Sequence, residues 1–217
     1  MRKNELFVEQ YSDTQKGANT YVLFNEDCPA ECIIIDIGSY TFFKNLADRF
    51  TRATLFITHA HYDHIEGINH FIIDFPNAKV YLSREADIMI KDPKKNLSYY
   101  QGTPISFDGP NLHVIGETEK SLIEINRAIG VFETPGHTKG CLSFKVGDFL
   151  FTGDIFIPGI PPVTKLKGGN RDAAKKSMKA IEELLEPNII ICPGHGPVIT
   201  SQEYFSESYN LDWILRH

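Results

Sequence analysis

The stretch Thr58-His59-Ala60-His61-Tyr62-Asp63-His64 decides how this chain is read. It follows Leu55-Phe56-Ile57, an apolar run suited to a short strand over residues 55–58, and it leads into residues 65–75, which read as a helix. A donor-rich loop therefore joins a strand to a helix. His59 and His61 are two residues apart, so on an extended segment they point the same way. Asp63 and His64 are adjacent at the start of the helix and can aim at a second point.

Working outward, the same pattern returns three times. Val131-Phe132-Glu133 runs into Thr134-Pro135-Gly136-His137-Thr138, Phe149-Leu150-Phe151 into Thr152-Gly153-Asp154, and Ile189-Ile190-Ile191 into Cys192-Pro193-Gly194-His195-Gly196. Four strands each end in a tight turn that presents a ligand-type side chain. Glycine permits the sharp backbone and proline helps end the strand. Loops at strand ends, held by a rigid sheet, are the usual place to build a site. Five of the eight histidines fall in these turns, enough with the aspartates to hold two divalent metals. Imidazole and carboxylate suit zinc, and also iron or manganese. Two such ions against two aspartates and a hydroxide leave the site near a charge of about +1, which favours an anionic transition state. A purely structural zinc site prefers closed, cysteine-rich tetrahedra, which this set is not. His70, His113 and His217 lie outside these turns and read as surface residues.

The remaining pattern gives strands over 4–10, 19–25, 33–37 and 79–82, a helix from Ser83 to residue 90, and several short strands up to Glu133. Residues 142–146 and 149–152 form a hairpin across Gly147-Asp148. Helices are expected over 40–50, 172–185 and 202–215, a buried strand over 189–192, and a loop over 91–102. Strands mixed with helices in two rough halves suit a layered α/β sandwich.

With 217 residues and 42% hydrophobic content, one domain over 1–217 is expected. A net charge of -6 provides no global field to gather nucleic acid. The N-terminus, Met1-Arg2-Lys3-Asn4-Glu5-Leu6-Phe7-Val8, lacks the apolar run of a signal peptide, and no stretch approaches a membrane span, so a cytoplasmic protein without membrane attachment is expected. Four cysteines are too few for a disulfide scaffold at this length; Cys28 and Cys32 flank a turn and read as free thiols.

His59-Ala60-His61-Tyr62-Asp63-His64, followed in order by His137, Asp154 and His195, resembles the metallo-β-lactamase superfamily over about residues 6–200. The resemblance implies an αββα sandwich with the metals at one edge. It implies that His59, His61 and His137 hold one metal, that Asp63, His64 and His195 hold the second, and that Asp154 bridges them. Asp36, in Ile35-Asp36-Ile37-Gly38, matches the family's early aspartate and would orient a ligand or the metal-bound water.

The main two-zinc β-lactamases carry cysteine where Asp154 stands, so the chain looks more like the glyoxalase II branch, the hydroxyacylglutathione hydrolases. That branch implies thioester cleavage by attack of a metal-bridging hydroxide on a carbonyl, with Asp63 and Asp154 acting through that hydroxide. Lactonases share similar ligands and remain the alternative. Two departures exist. Glyoxalase II has a sizeable C-terminal helical domain where residues 200–217 stand here, and the segment that helps hold its thiol carrier reads Ile155-Phe156-Ile157-Pro158-Gly159-Ile160-Pro161-Pro162-Val163-Thr164-Lys165-Leu166-Lys167. The hydrolytic centre is thus implied more strongly than glutathione.

A small acyl substrate is the expected partner. Its candidate contacts are Lys94, Lys95, Asn96, Tyr99 and Tyr100 in the polar loop, and Lys165, Lys167 and Arg171 after Asp154. A nuclease on the same metals fits the acidic balance poorly, and a steep salt dependence of RNA binding would mark one. A non-catalytic metal-bearing module would turn over no activated ester or thioester.

Overall fold

Alternation of side chains along the strands builds the layers. The computed structural model describes residues 5–12, 17–41, 45–116 and 118–206. One sheet runs in chain order: β1 (Leu6–Tyr11), β2 (Thr20–Asn25), β3 (Glu31–Ile35), β4 (Arg52–Phe56), β5 (Lys79–Leu82) and β6 (Leu112–Val114). The second runs β7 (Ser121–Glu124), β8 (Arg127–Glu133), β9 (Leu142–Val146), β10 (Phe149–Gly153), β11 (Ile190–Pro193) and β12 (Ile199–Thr200). In β3, Ile33 and Ile35 point into the core between the sheets, with Phe56, Val131, Phe144 and Phe151. Ile34 points the other way, with Leu55, Ile57 and Val80, onto the helices. β3, β4, β9 and β10 therefore bury both faces over most of their length, which is why the sequence shows apolar runs there rather than a polar side.

Helices cover the two outer faces. α1 (Leu46–Arg49), α2 (Tyr62–Ile65), α3 (Ile68–Asp74) and α4 (Arg84–Ile90) belong to the first sheet; α5 (Arg171–Glu182) and α6 (Ser201–Ser206) belong to the second. Ile65, Ile68, Phe71 and Ile90 fill the first outer core, and Met178, Ile181 and Tyr204 fill the other. The Ser83 hydroxyl accepts from Ala86 N and the Asn170 side chain from Ala173 N, capping α4 and α5. The result is an αββα sandwich.

Topology places the donors. Strands β3, β4, β5 and β6 are parallel neighbours, and β10 is parallel to β11. Crossover connections of this kind bring strand ends to one edge, where the connecting loops gather. The hairpin across Gly147-Asp148 pairs Val146 with Phe149, as its turn residues require.

Several expectations change. Within residues 40–50 only Leu46–Arg49 is α-helical among the described residues, and it stops there because Phe50 is already extended (φ -128°, ψ 140°) on the way into β4. Residues 65–75 divide into α2 and α3 at Glu66-Gly67. The loop 91–102 contains a 3-10 turn, Ser98–Gln101. The first strand is Leu6–Tyr11, with Asn4 outside the described residues, and residues 207–217, including Trp213 and His217, lie outside them too. All four cysteines are free thiols. Among the described residues no helix is long and apolar enough to cross a membrane.

Candidate metal centre

The seven donors expected from the sequence converge on one edge of the sandwich. They form three overlapping groups: His59, His61 and His137; His59, His64 and Asp154; and Asp63, His64 and His195. Within each group the donor atoms lie within 4.8 Å of one another. His137 Nε2 is 2.9 Å from His61 Nδ1, and His64 Nε2 is 3.2 Å from Asp154 Oδ1. His195 Nε2 is 3.3 Å from Asp63 Oδ2 and 3.5 Å from Asp154 Oδ2. Donors that surround a zinc-sized ion tetrahedrally at its usual bond length sit about 3.3 Å apart, so the spacing fits.

Hydrogen bonding on the outer side of each ring fixes what it offers inward. The Val163 carbonyl lies 2.8 Å from His137 Nδ1, and a carbonyl can only accept. His137 therefore carries its proton on Nδ1, and Nε2 presents a lone pair to the centre. Asp36 Oδ2 lies 2.7 Å from His64 Nδ1 and imposes the same choice there. Asp36 itself is gripped: Oδ1 accepts from Thr58 N at 2.7 Å and Oδ2 from the Thr58 hydroxyl at 2.6 Å. Its backbone sits at φ 55°, a conformation aspartate tolerates better than most residues.

Within the site, three buried polar atoms make no hydrogen bond: His59 Nε2, His64 Nε2 and Asp154 Oδ1. Each belongs to a donor group, and unsatisfied buried atoms are costly. A cation answers all three at once, so the residues fit divalent metals. The electrostatics agree. Burial, reinforced by the neighbouring imidazoles, pushes the His59 pKa far down and that of His61 down to about 4, which keeps their lone pairs free. Burial works against charge on His64 too, but Asp154, Asp36 and Asp63 outweigh it and hold its pKa well above the usual value. Hydrogen bonds from His195 to Asp154 and Asp63 raise the His195 pKa to about 9. Burial alone would neutralise Asp154, yet His64 and His195 keep it ionised. The carboxylates here call for positive charge.

Local backbone makes the approach possible. A Cβ on Gly194 would run into Asp154 Oδ1, the Gly153 carbonyl carbon and His64 Cε1, so only glycine lets the His195 turn close on the other ligands.

The substrate candidates divide. Asn96 is fully buried; its Nδ2 donates to Ile105 O at 2.8 Å and its Oδ1 accepts from Ser98 N at 3.0 Å, so its side chain builds the loop instead of facing a ligand. Its carbonyl accepts from Tyr62 N at 2.8 Å and ties that loop to the start of α2. Tyr99 and Tyr100 are 54% and 67% exposed, with Lys94 over the Tyr99 ring, while Lys95 pairs with Asp92. Lys165 and Lys167 are exposed on the loop whose Val163 holds His137, and Arg171 is exposed at the start of α5. His70 and His113 are exposed, away from the donor groups. Sequence reasoning missed Thr58 and Val163. Thr58 sits beside the histidine motif, a signal that was present; Val163 acts through its carbonyl, which any residue would supply.

Comparison with known proteins agrees with this geometry. The sequence profile of the family described as the metallo-beta-lactamase superfamily matches residues 14–195. A hydroxyacylglutathione hydrolase of Wigglesworthia glossinidia brevipalpis is 30% identical over 198 residues, covering 90% of this chain and 68% of that protein. The chain spans 59% of the length of a hydroxyacylglutathione hydrolase from Salmonella gallinarum, at 28% identity over 174 residues. Among solved structures, the BLEG-1 B3 metallo-beta-lactamase superposes with a TM-score of 0.81 at 29% identity, covering 92% of this chain and 97% of its own. TTHA1623, solved in a di-iron-bound form, shares the fold with a TM-score of 0.71 at 21% identity, covering 90% of this chain and 95% of its own.

Proposed function

The chain belongs to the metallo-beta-lactamase superfamily and is a metal-dependent hydrolase, and from that premise we propose that it cleaves small acyl thioesters at a centre taking two divalent ions, zinc first among them. One observation carries the reading. His59 is shared by the first and second donor groups and His64 by the second and third, so the donors extend beyond what a single ion can use. In this assignment His59, His61 and His137 hold one ion, Asp63, His64 and His195 the other, and Asp154 lies between them.

Such ions supply Lewis acidity and lower the pKa of water when bound. The chain's own groups do the positioning. Asp36 and the Val163 carbonyl stop the His64 and His137 rings from turning. Asp63, partly open to solvent beside His195, can take a proton from the attacking water on a carboxylate oxygen. The water oxygen bonds to the acyl carbon, the carbon–sulfur bond breaks, and the proton passes to the departing thiolate. A thiol has a pKa of about 8.5, so its thiolate leaves without a strong general acid.

A second reading is favoured by a structural likeness. The BLEG-1 B3 metallo-beta-lactamase superposes with a TM-score of 0.81 at 29% identity, so strained cyclic substrates, β-lactam or lactone, are the competitor. The test is to load the protein with zinc, iron or manganese and to measure kcat/KM on S-lactoylglutathione, other S-acyl thiols, lactones and a chromogenic cephalosporin. Turnover of thioesters at least tenfold above the cyclic substrates supports the proposal. The reverse order moves the chain to the second reading, and no turnover of any of them with any metal refutes hydrolysis. Chelation should abolish turnover and lower the melting temperature by about 10 °C, as expected for removal of ligands bound well below their working concentration.

A further inference from the structure

Residues 18–21 lie far in sequence from every donor, yet they touch the supports of two of them. Asn19 is buried, and its Nδ2 lies 2.9 Å from both Pro193 O and Gly196 O, the carbonyls on either side of the His195 turn. Its backbone N donates to Gly194 O at 2.7 Å. The Tyr21 hydroxyl, 3.1 Å from Asn19 Nδ2, donates to Pro193 O at 2.7 Å. Every peptide carbonyl around His195 except its own is thus held from the start of β2.

The same segment reaches Asp63. Thr20 Oγ1 accepts from Gly38 N at 3.0 Å, and a Cβ on Gly38 would collide with both Ala18 O and Asp63 O. Gly38 is therefore the spacer that lets the Ala18 backbone close on the backbone of Asp63. The first donor group has other supports: Val163 O holds His137, and the Thr58 hydroxyl lies 3.2 Å from His59 Nδ1.

We infer that Asn19, seconded by Tyr21, is the positioning residue for His195, and that it sets the affinity of the Asp63–His64–His195 position without setting that of the His59–His61–His137 position. The inference rests on the proposed reading of two ion positions. Its physical basis is that an amide donor spanning two carbonyls fixes a glycine-rich turn that would otherwise move. Asparagine is suited to this: its two amide hydrogens meet two carbonyls, whereas aspartate would bring oxygens against oxygens.

The test is zinc binding by the intact chain, read as zinc per chain and as stepwise dissociation constants against a competing chelator, for wild type, Asn19→Ala, Asn19→Asp and Tyr21→Phe. The expected result is a 10- to 100-fold weakening of one zinc equivalent in both Asn19 variants, at about the scale known for groups that orient metal ligands. The other equivalent stays within about threefold, and Tyr21→Phe shows a smaller loss at the same equivalent. Equal weakening of both equivalents, as a general loss of stability would give, overturns the inference, as does wild-type binding in a folded Asn19→Ala. Should neither Asn19 variant fold, Tyr21→Phe decides, and unchanged binding there overturns it. A selective loss of one equivalent in a chain that hydrolyses no thioester supports the inference and overturns only the proposed activity.

Discussion

The two halves of the sandwich supply donors in opposite ways. The first sheet delivers His59, His61, Asp63 and His64 from a single strand end, after β4. The second delivers His137, Asp154 and His195 from three separate ends, after β8, β10 and β11. In the first case local geometry does the work: an extended pair followed by a helix start sets two directions within six residues. In the second the sheet does it, because three turns meet only if β10 lies beside β11 and β8 one strand further on, across β9. A donor from the dispersed half therefore depends on more of the molecule than a donor from the contiguous half.

The largest effect should come from the donor that joins the halves. Asp154 faces His64, His137 and His195 at 3.2, 3.7 and 3.5 Å. Asp154→Ala removes the carboxylate that all three surround, and kcat/KM on the best substrate should fall by about 10³-fold or more. A loss under tenfold would mean that the halves do not share a centre. The same substitution strips His64 and His195 of a buried carboxylate partner, so the metal-free variant should unfold earlier than the metal-free wild type.

Next comes the dispersed half alone. Gly194→Ala places a methyl group against Asp154, Gly153 and His64, all of them backbone or buried side chain, so the His195 turn must move. A fall of about 10²-fold in kcat/KM is expected, since displacing a catalytic group by about 1 Å costs on that scale. Zinc bound by His59, His61 and His137 should survive, and titration of the variant to one tight equivalent is the check. Full loss of both equivalents would show that the two halves cannot be perturbed separately.

The contiguous half is probed by Asp36→Asn. Asparagine tolerates the φ of 55° and can still accept from Thr58, so the fold should hold. It offers an NH₂ group where His64 Nδ1 needs an acceptor, and the His64 ring must flip or change tautomer. A 10- to 100-fold drop in metal affinity or turnover is expected, with a melting temperature for the metal-free protein near that of wild type. Unchanged zinc binding would show that His64 needs no orienting partner.

The contrast also explains what was legible in the sequence. The contiguous donors announce themselves, because histidine at i and i+2 before Asp-His has few structural uses. The dispersed donors were readable through their turns, each an apolar run followed by glycine or proline. The supports were not. Val163 acts by a carbonyl, and Asn19 meets residues 193–196 only after the chain has crossed both sheets. Local pattern carries no trace of such a contact. Periodicity likewise overstated the end of the helix read over 40–50, because its last apolar position, Phe50, sits in the outer core as an extended residue.

The smallest effects separate loop-building residues from candidate contacts. Asn96 and Lys167 were both plausible substrate ligands by type. Asn96 is buried, with its amide satisfied by Ile105 O and Ser98 N, whereas Lys167 is exposed. Asn96→Ala leaves a buried carbonyl and a buried N–H unpaired, at a cost of about 1–3 kcal/mol, or roughly 3–10 °C in melting temperature for a chain of this size. Because its loop is tied to Tyr62 N, the variant should also lose some turnover, through kcat rather than KM. Lys167→Ala should leave the melting temperature unchanged and raise KM by about two- to threefold for an anionic thioester, an effect that fades in high salt, as exposed charges do. If instead Asn96→Ala raises KM at constant stability, its side chain faces the substrate after all, and the dispersed half would not be the only region whose function depends on distant contacts.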